Sequence, residues 1–364
     1  MSVQRVLIMA GGTGGHVFPA LAVADELRAQ GVEVVWMGTR AGLEAEVVPR
    51  AGIDIEWVSI SGLRGKGPLS LLLAPFKLMV AMAQSLAIVM RRRPMAVLGM
   101  GGFVTGPGGF ITWLLRKPLV IHEQNALAGM TNRWLARLAN KVLEAFPGTF
   151  PGRRKAIATG NPIRAEITAL PPPEQRLAGR SGVLRLLVVG GSLGAQVFNQ
   201  TVPDAIKVME PGIRPEVWHQ AGKKHIEAAR ESYRQAGVAA RVDPFIGDMA
   251  EAYAWADLVL CRAGALTVSE LASAGVASIL VPYPFAVDDH QTHNAAYLAD
   301  AGAAILAPQP QLTAQSLGKL LAGFCEAPEQ GRQKLLDMAR IARRLAKPES
   351  TRVVAALCLE AARA

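Results

Sequence analysis

Short apolar runs recur along the chain, and each is followed by glycine and then by apolar residues at helical spacing. The first run is Val6, Leu7, Ile8 and Met9, which suits a parallel strand buried on both faces. Beyond Gly11, Gly12, Gly14 and Gly15, the positions Val17, Ala20, Leu21, Ala24 and Leu27 predict a helix. Pro19 is then expected in its first turn and Gly31 at its C-terminal stop. Further strands are predicted at 33–38, 54–60, 96–100, 118–122 and 141–146. The same grammar restarts at Leu186, where Gly190-Gly191-Ser192-Leu193-Gly194 precedes a helix carrying Val197, Val202 and Ile206. It continues through strands at 216–220, 241–246, 257–261 and 277–284. This alternation predicts an α/β chain of two Rossmann-like domains facing each other across a cleft. The expected division is 1–162 and 163–340, with 341–364 a helix packing back towards the first domain.

The most apolar stretch, 61–94, departs from this rhythm. Leu69 to Met90 carries one charge, Lys77, and is long enough to span a bilayer. It stands where the α/β pattern needs a crossover helix, however, and Pro75 and Gln84 interrupt it. Two compatible readings follow: a helix packed on the sheet, and a helix docking on an anionic membrane surface. For docking, Leu72, Phe76, Met79 and Met82 form the expected stripe, Trp113 joins it, and Lys66, Lys77 and Arg91 to Arg93 flank it.

Length and composition narrow the choices. The 364 residues suit about two domains, and an apolar fraction of 51% leaves no room for extensive disorder. Cys261, Cys325 and Cys358 are too scattered for a disulfide framework or a zinc pattern, which points to a reducing compartment. The start MSVQRVLIMAGG lacks a signal-peptide core, so a cytoplasmic location is expected. A formal charge of +10 implies anionic partners. Nucleic acid is not expected among them, because aromatic platforms are sparse and no nucleic-acid-binding signature appears.

Glycine loops between strand and helix are where this chain has chemistry to offer. They place unpaired N–H groups and a positive helix end where a phosphate can sit. The position after strand two offers Gly38, Thr39 and Arg40 in place of the acid that holds an NAD ribose, which argues against NAD and leaves NADP only a weak foothold. A second loop, GGFVTGPGG at 101–109, follows the fourth strand. His122, Glu123, Gln124 and Asn125 end another strand, either as ligand contacts at the sheet's carboxyl edge or as polar capping of the next helix. Glu270 lies early on the helix of RAGALTVSELA, where a carboxylate can accept from two vicinal sugar hydroxyls. Asp288, Asp289, His290 and His293 invite a metal reading. No third shell or open-site motif accompanies them, and no Asp-x-Asp triplet occurs, so neither metal nor cofactor is expected.

Six motifs, GGTGGH (11–16), HEQNALAG (122–129), GNPIR (160–164), GGSLGA (190–195), RAGALTVSELA (262–272) and PFAVDDHQTHNA (284–295), resemble in order and spacing the MurG family of glycosyltransferases. The resemblance covers nearly the whole chain. It implies the GT-B fold and transfer of N-acetylglucosamine from UDP-N-acetylglucosamine to undecaprenyl-diphosphoryl-N-acetylmuramyl-pentapeptide in peptidoglycan synthesis. It also implies a peripheral location on the cytoplasmic face of the bacterial inner membrane. The N-terminal domain would bind the lipid acceptor and the C-terminal domain the nucleotide sugar. By motif, Thr13, Gly14, Gly15, Asn125, Arg164, Ser192, Ile246, Ala265, Leu266, Thr267, Val268, Ser269, Glu270 and Gln291 would contact the donor. Gly101, Gly102, Thr105, Gly106 and Gly108 would help hold the acceptor's diphosphate. His290 stands beside Gln291 where relatives often carry a second Gln.

Inverting transfer needs a base for the attacking 4-hydroxyl, and His16 is the candidate; its alternative role is a helix-capping imidazole that shapes the loop. The competing activity is epimerisation of the same nucleotide sugar on the same fold, which would need no lipid.

Overall fold

In the computed structural model, which describes residues 4–62, 73–152, 156–191 and 194–363, every strand pairing among the described residues is parallel. The first sheet holds β1 (Arg5–Met9), β2 (Glu33–Gly38), β3 (Asp54–Trp57), β4 (Ala96–Gly99), β5 (Leu119–Glu123), β6 (Lys141–Glu144) and β7 (Ala156–Ala158), in the order β3-β2-β1-β4-β5-β6-β7. The second holds β8 (Arg185–Val189), β9 (Glu216–Gln220), β10 (Arg241–Asp243), β11 (Leu258–Cys261), β12 (Ala277–Leu280) and β13 (Ala304–Leu306), in the order β10-β9-β8-β11-β12-β13. Continuous apolar runs explain this arrangement. Leu7 and Met9 face one layer of core and Val6 and Ile8 the other, so helices must cover both sides.

The chain divides into two units, Met1–Arg164 with Lys347–Ala364, and Ala165–Ala346. The crossings therefore fall a few residues from 162/163 and 340/341. Ser350 Oγ donates to Asn161 O within the first unit, and the helix Pro328–Arg344 runs unbroken through residue 341. The last helix, Ser350–Arg363, lays Val354, Ala355, Cys358 and Ala361 into the same core as the helix Gly14–Ala29.

Several element ends differ from expectation. The first helix begins at Gly14, with Thr13 as its N-cap, so Pro19 lies inside it beyond the first turn. Pro19 forfeits one helical hydrogen bond there, and its ring is buried beside Val17, Ala20, Val23, Ala24 and Leu27. Strand β10 stops at Asp243 because Pro244 has no N–H to continue the ladder.

The helix Ala74–Arg92 is long and apolar enough to cross a membrane by length and composition. Its Ala81, Ser85, Ile88 and Val89 are nevertheless buried, with the apolar ones packed in the core layer of Leu7, Met9, Val35 and Met37. It is the crossover between β3 and β4. Leu72 and Lys66, assigned above to the docking stripe and its basic flank, lie outside the described residues.

Candidate active site

In each sheet the strand order reverses once, between β1 and β4 and between β8 and β11. Loops leaving the carboxyl ends of those strands diverge, and ligand sites of open parallel sheets form there.

In the first unit, β1 delivers Gly11 to Gly15 and β4 delivers Gly101 and Gly102 to the same place. Gly102, at φ +86, approaches so closely that a Cβ would lie 2.4 Å from Gly11 O. Gly101, at φ +102, gives its open side to His16, whose Nδ1 would be 2.5 Å from a Cβ there. A side chain at either position would part the two loops.

His16 is the third residue of its helix and is half-buried. Its Nδ1 lies 2.9 Å from Gln124 Oε1. Gln124 Nε2 lies 3.1 Å from His122 Nδ1, and His122 Nε2 lies 2.9 Å from Gly160 O. Both His122 and Gln124 are buried. Burial pushes the His122 imidazole down to about 4, so it is neutral at pH 7. Beside them Glu123 gathers N–H groups: its Oε1 accepts from Asn125 N at 3.1 Å and Nδ2 at 3.2 Å, and its Oε2 from Gly129 N at 3.1 Å and Asn132 Nδ2 at 2.9 Å. This network fixes the backbone of HEQN.

The sequence reading did not single out Glu44. It is wholly buried beneath the first glycine loop. Its Oε2 accepts from Gly12 N at 2.9 Å, while Oε1 accepts from Thr39 N at 2.8 Å and Thr39 Oγ1 at 2.7 Å. The acid missing directly after strand two thus occurs a few residues later, turned towards the loop. It engages an N–H that the sequence alone offers to phosphate, leaving the helix start at Gly14 and Gly15 as the loop's donor end. Thr13 is exposed and makes no side-chain cap bond, and Arg164 is exposed at the end of the unit.

Two of the expected acceptor contacts are occupied by packing. Thr105 is wholly buried, its hydroxyl donating to Gly101 O at 2.9 Å. Gly108 is buried where a Cβ would meet Met9 Sδ at 2.3 Å. Gly101 is buried as well, against His16, whereas Gly102 and Gly106 are half-buried.

In the second unit Ser192 lies outside the described residues, while Gly191 and Gly194 border it. One amide bridges this loop to the next: Gln220 Nε2 donates to Gly191 O at 2.9 Å, and its Oε1 accepts from Ile246 N at 2.9 Å. Gln220 closes strand β9, and period-two patterning cannot show that its amide turns to the loop. The helix Ala265–Ala274 starts directly after β11, with Gly264 as its N-cap. No side chain caps that end, and the start of a helix is where backbone N–H groups and the positive dipole end favour an anion. Val268 is in the core, and Ser269 Oγ donates back to Ala265 O at 3.0 Å. Glu270 is 6% exposed, and its Oε2 accepts from Tyr253 OH at 3.1 Å. Gln291 Oε1 accepts from Tyr283 N at 2.9 Å. Asp289 Oδ1 accepts from Thr292 Oγ1 at 2.7 Å, and His290 Nδ1 donates to Val287 O at 2.7 Å. Among the described residues no group of three or more His, Cys, Asp or Glu is placed to hold a metal ion.

The apolar surface of the first unit is arranged differently from the expected stripe. Phe76, Met79 and Met90 are exposed and recur on one side of the helix Ala74–Arg92, but Met82 turns inward and packs on the core. The helix Thr105–Leu114 packs beside it and adds exposed Phe110, Trp113 and Leu114. Arg91 and Arg92 are engaged by Glu56 at 2.5 and 2.6 Å. Burial pushes the Glu56 carboxyl up, and the two arginines outweigh it and hold it below the usual range. The Arg91 side chain is still 61% exposed beside Glu56, and Arg93, Arg116, Arg133 and Arg137 are exposed too.

Comparison with known proteins places these features. Residues 6–144 match the glycosyltransferase family 28 N-terminal domain, and residues 185–347 match the family 28 C-terminal domain. The chain is 58% identical over 359 residues to the UDP-N-acetylglucosamine--N-acetylmuramyl-(pentapeptide) pyrophosphoryl-undecaprenol N-acetylglucosamine transferase of Marinobacter nauticus, covering 99% of this chain and 98% of that one. The crystal structure of Acinetobacter baumannii MurG is similar at 42% identity and a TM-score of 0.85, covering 98% and 99%. A UDP-GlcNAc 2-epimerase from Neisseria meningitidis has a TM-score of 0.66 at 12% identity, covering 98% and 100%, which is a likeness of fold alone.

Proposed function

The chain belongs to glycosyltransferase family 28, in its MurG branch, and from that premise we propose that it moves N-acetylglucosamine from UDP-N-acetylglucosamine to the 4-hydroxyl of undecaprenyl-diphosphoryl-N-acetylmuramyl-pentapeptide. The observation that carries this reading is the 58% identity, across 99% of the chain, to a relative bearing that activity as its name. The geometry supports it where sugar, phosphate and proton must each be handled.

The second unit binds the donor. The start of the helix Ala265–Ala274 and the hydroxyl of Ser192 meet the diphosphate, where a helix end stabilises the charge that grows as UDP leaves. Glu270 accepts from the ribose hydroxyls, with Tyr253 holding one of its oxygens. Ile246 spends its N–H on Gln220, so it offers uracil its carbonyl. Gln291, Asn125, Thr13 and the first glycine loop address the sugar, and Arg164 adds positive charge. In the first unit the half-buried Gly102 and Gly106 receive the acceptor's diphosphate. His16 takes the proton of the 4-hydroxyl as its oxygen attacks the anomeric carbon. The bond to UDP breaks on the opposite face, and the configuration inverts.

The enzyme works as a peripheral protein at the cytoplasmic face of the inner membrane. The acceptor's tail stays in the bilayer, and Phe76, Met79, Phe110 and Trp113, with neighbouring arginines, give the first unit a surface suited to an anionic leaflet. The deciding experiment incubates the protein with labelled UDP-N-acetylglucosamine, with and without a polyprenyl-diphosphoryl muramyl-pentapeptide. Label moving to the lipid fraction only with acceptor is the expected result. Conversion to the 2-epimer with no lipid product would replace transferase with epimerase.

A further inference from the structure

His16 Nδ1 ends a hydrogen-bonded series that starts at a backbone carbonyl, and a carbonyl can only accept. Gly160 O therefore requires the proton of His122 on Nε2. A neutral imidazole protonated there has a lone pair on Nδ1, and burial keeps His122 neutral. Gln124 must turn its Nε2 to that lone pair at 3.1 Å, which turns its Oε1 to His16 at 2.9 Å. An amide oxygen also only accepts, so His16 carries its proton on Nδ1. With the amide reversed, Oε1 would face the His122 lone pair.

We propose that Gln124 is a positioning residue that sets the tautomer of His16, holding Nδ1 protonated so that Nε2 presents its lone pair to the acceptor hydroxyl. The proposal rests on the reading of His16 as the base. The free energy needed is small. Neutral imidazole tautomers lie close together, so one hydrogen bond to a buried amide oxygen is enough to bias the choice. Gln124 is 1% exposed, and its backbone carbonyl accepts from Asn161 Nδ2 at 3.0 Å. The same oxygen orientation also ties the helix start at His16 to strand β5.

The test labels the histidines with nitrogen-15 and reads the ring nitrogens of His16 by NMR, assigned through the loss of signals in His16→Ala. The native protein should show a protonated Nδ1 and an unprotonated Nε2. Gln124→Leu should give averaged tautomer signals and a kcat lowered at least tenfold, with the donor KM within twofold. Gln124→Glu keeps an oxygen towards Nδ1, and one proton shared between its other oxygen and His122 Nδ1 replaces the amide N–H. That variant should keep the Nδ1–H signature and recover kcat towards the native value. A melting curve accompanies each variant. If Gln124→Leu fails to fold, the native spectrum with Gln124→Glu decides. An Nε2–H tautomer in the native protein, or an Nδ1–H signature untouched by Gln124→Leu, overturns the positioning role. A tautomer that averages while kcat holds overturns His16 as the base and leaves the reading of the family intact.

Discussion

A base and a sugar-holding carboxylate should fail in different kinetic constants. His16→Ala removes the proton acceptor while leaving Gly14, Gly15 and the second unit in place. Its kcat should fall by about two to four powers of ten with little change in donor KM. A preserved kcat would reduce His16 to shaping the loop against Gly101. On the proposed donor site, Glu270→Ala deletes an acceptor for the ribose, and it removes the carboxylate to which the Tyr253 hydroxyl donates. The donor KM should rise by roughly 1–3 kcal/mol of lost binding, or about five- to 150-fold. Titration with UDP by calorimetry measures the same loss without turnover, and unchanged affinity would take Glu270 out of the site.

On the proposed docking, the helix Ala74–Arg92 would carry two tasks on two faces, and they can be separated. Ala81, Ile88 and Val89 hold it to the sheet, whereas Phe76 is 61% exposed. Phe76→Asp should therefore leave the melting temperature within a degree or two and keep activity on a short-chain soluble acceptor. It should weaken sedimentation with vesicles containing anionic lipid, and added salt should weaken the native protein's binding too. Binding that is equal on neutral and anionic vesicles would exclude the electrostatic part of this docking. Release by detergent alone would exclude a peripheral attachment.

At the scale of the whole molecule, the last helix is part of the first unit's core although the second unit precedes it in sequence. Val354, Ala355, Cys358 and Ala361 are each no more than 3% exposed. Ending the chain after Ala346 would uncover them and the helix Gly14–Ala29, at a cost of more than about 3 kcal/mol. The first unit should then melt well below the native protein, while the second, whose chain remains whole, should keep its own transition. A single unchanged melting curve would contradict this account. The chain's charge of +10 and its helix N-termini also predict how the diphosphate is neutralised. Activity should persist in EDTA, and loss restored by Mg²⁺ or Mn²⁺ would return attention to Asp288, Asp289, His290 and His293.

Sequence by itself determined the parts of this protein that depend on local periodicity. Val6–Met9 and Leu186–Val189 are apolar on both faces and therefore lie within sheets covered on both sides. The glycines that follow them mark the turns from strand to helix, and six ordered motifs identify the family. Tertiary structure decided which polar groups remain available to a ligand, because that depends on partners remote in sequence. Gly12 N is engaged by Glu44, 32 positions away, and Ile246 N by Gln220, 26 away. Arg92 looks available for an anionic surface until Glu56 and Asp54, on a neighbouring strand, hold its half-buried guanidinium. The His16 imidazole is visible in the sequence as a candidate base. The nitrogen that bears its proton is set 108 and 106 residues away, at Gln124 and His122. A hydrogen bond needs two groups within about 3 Å, and only the folding of β5 beside the first glycine loop brings these together.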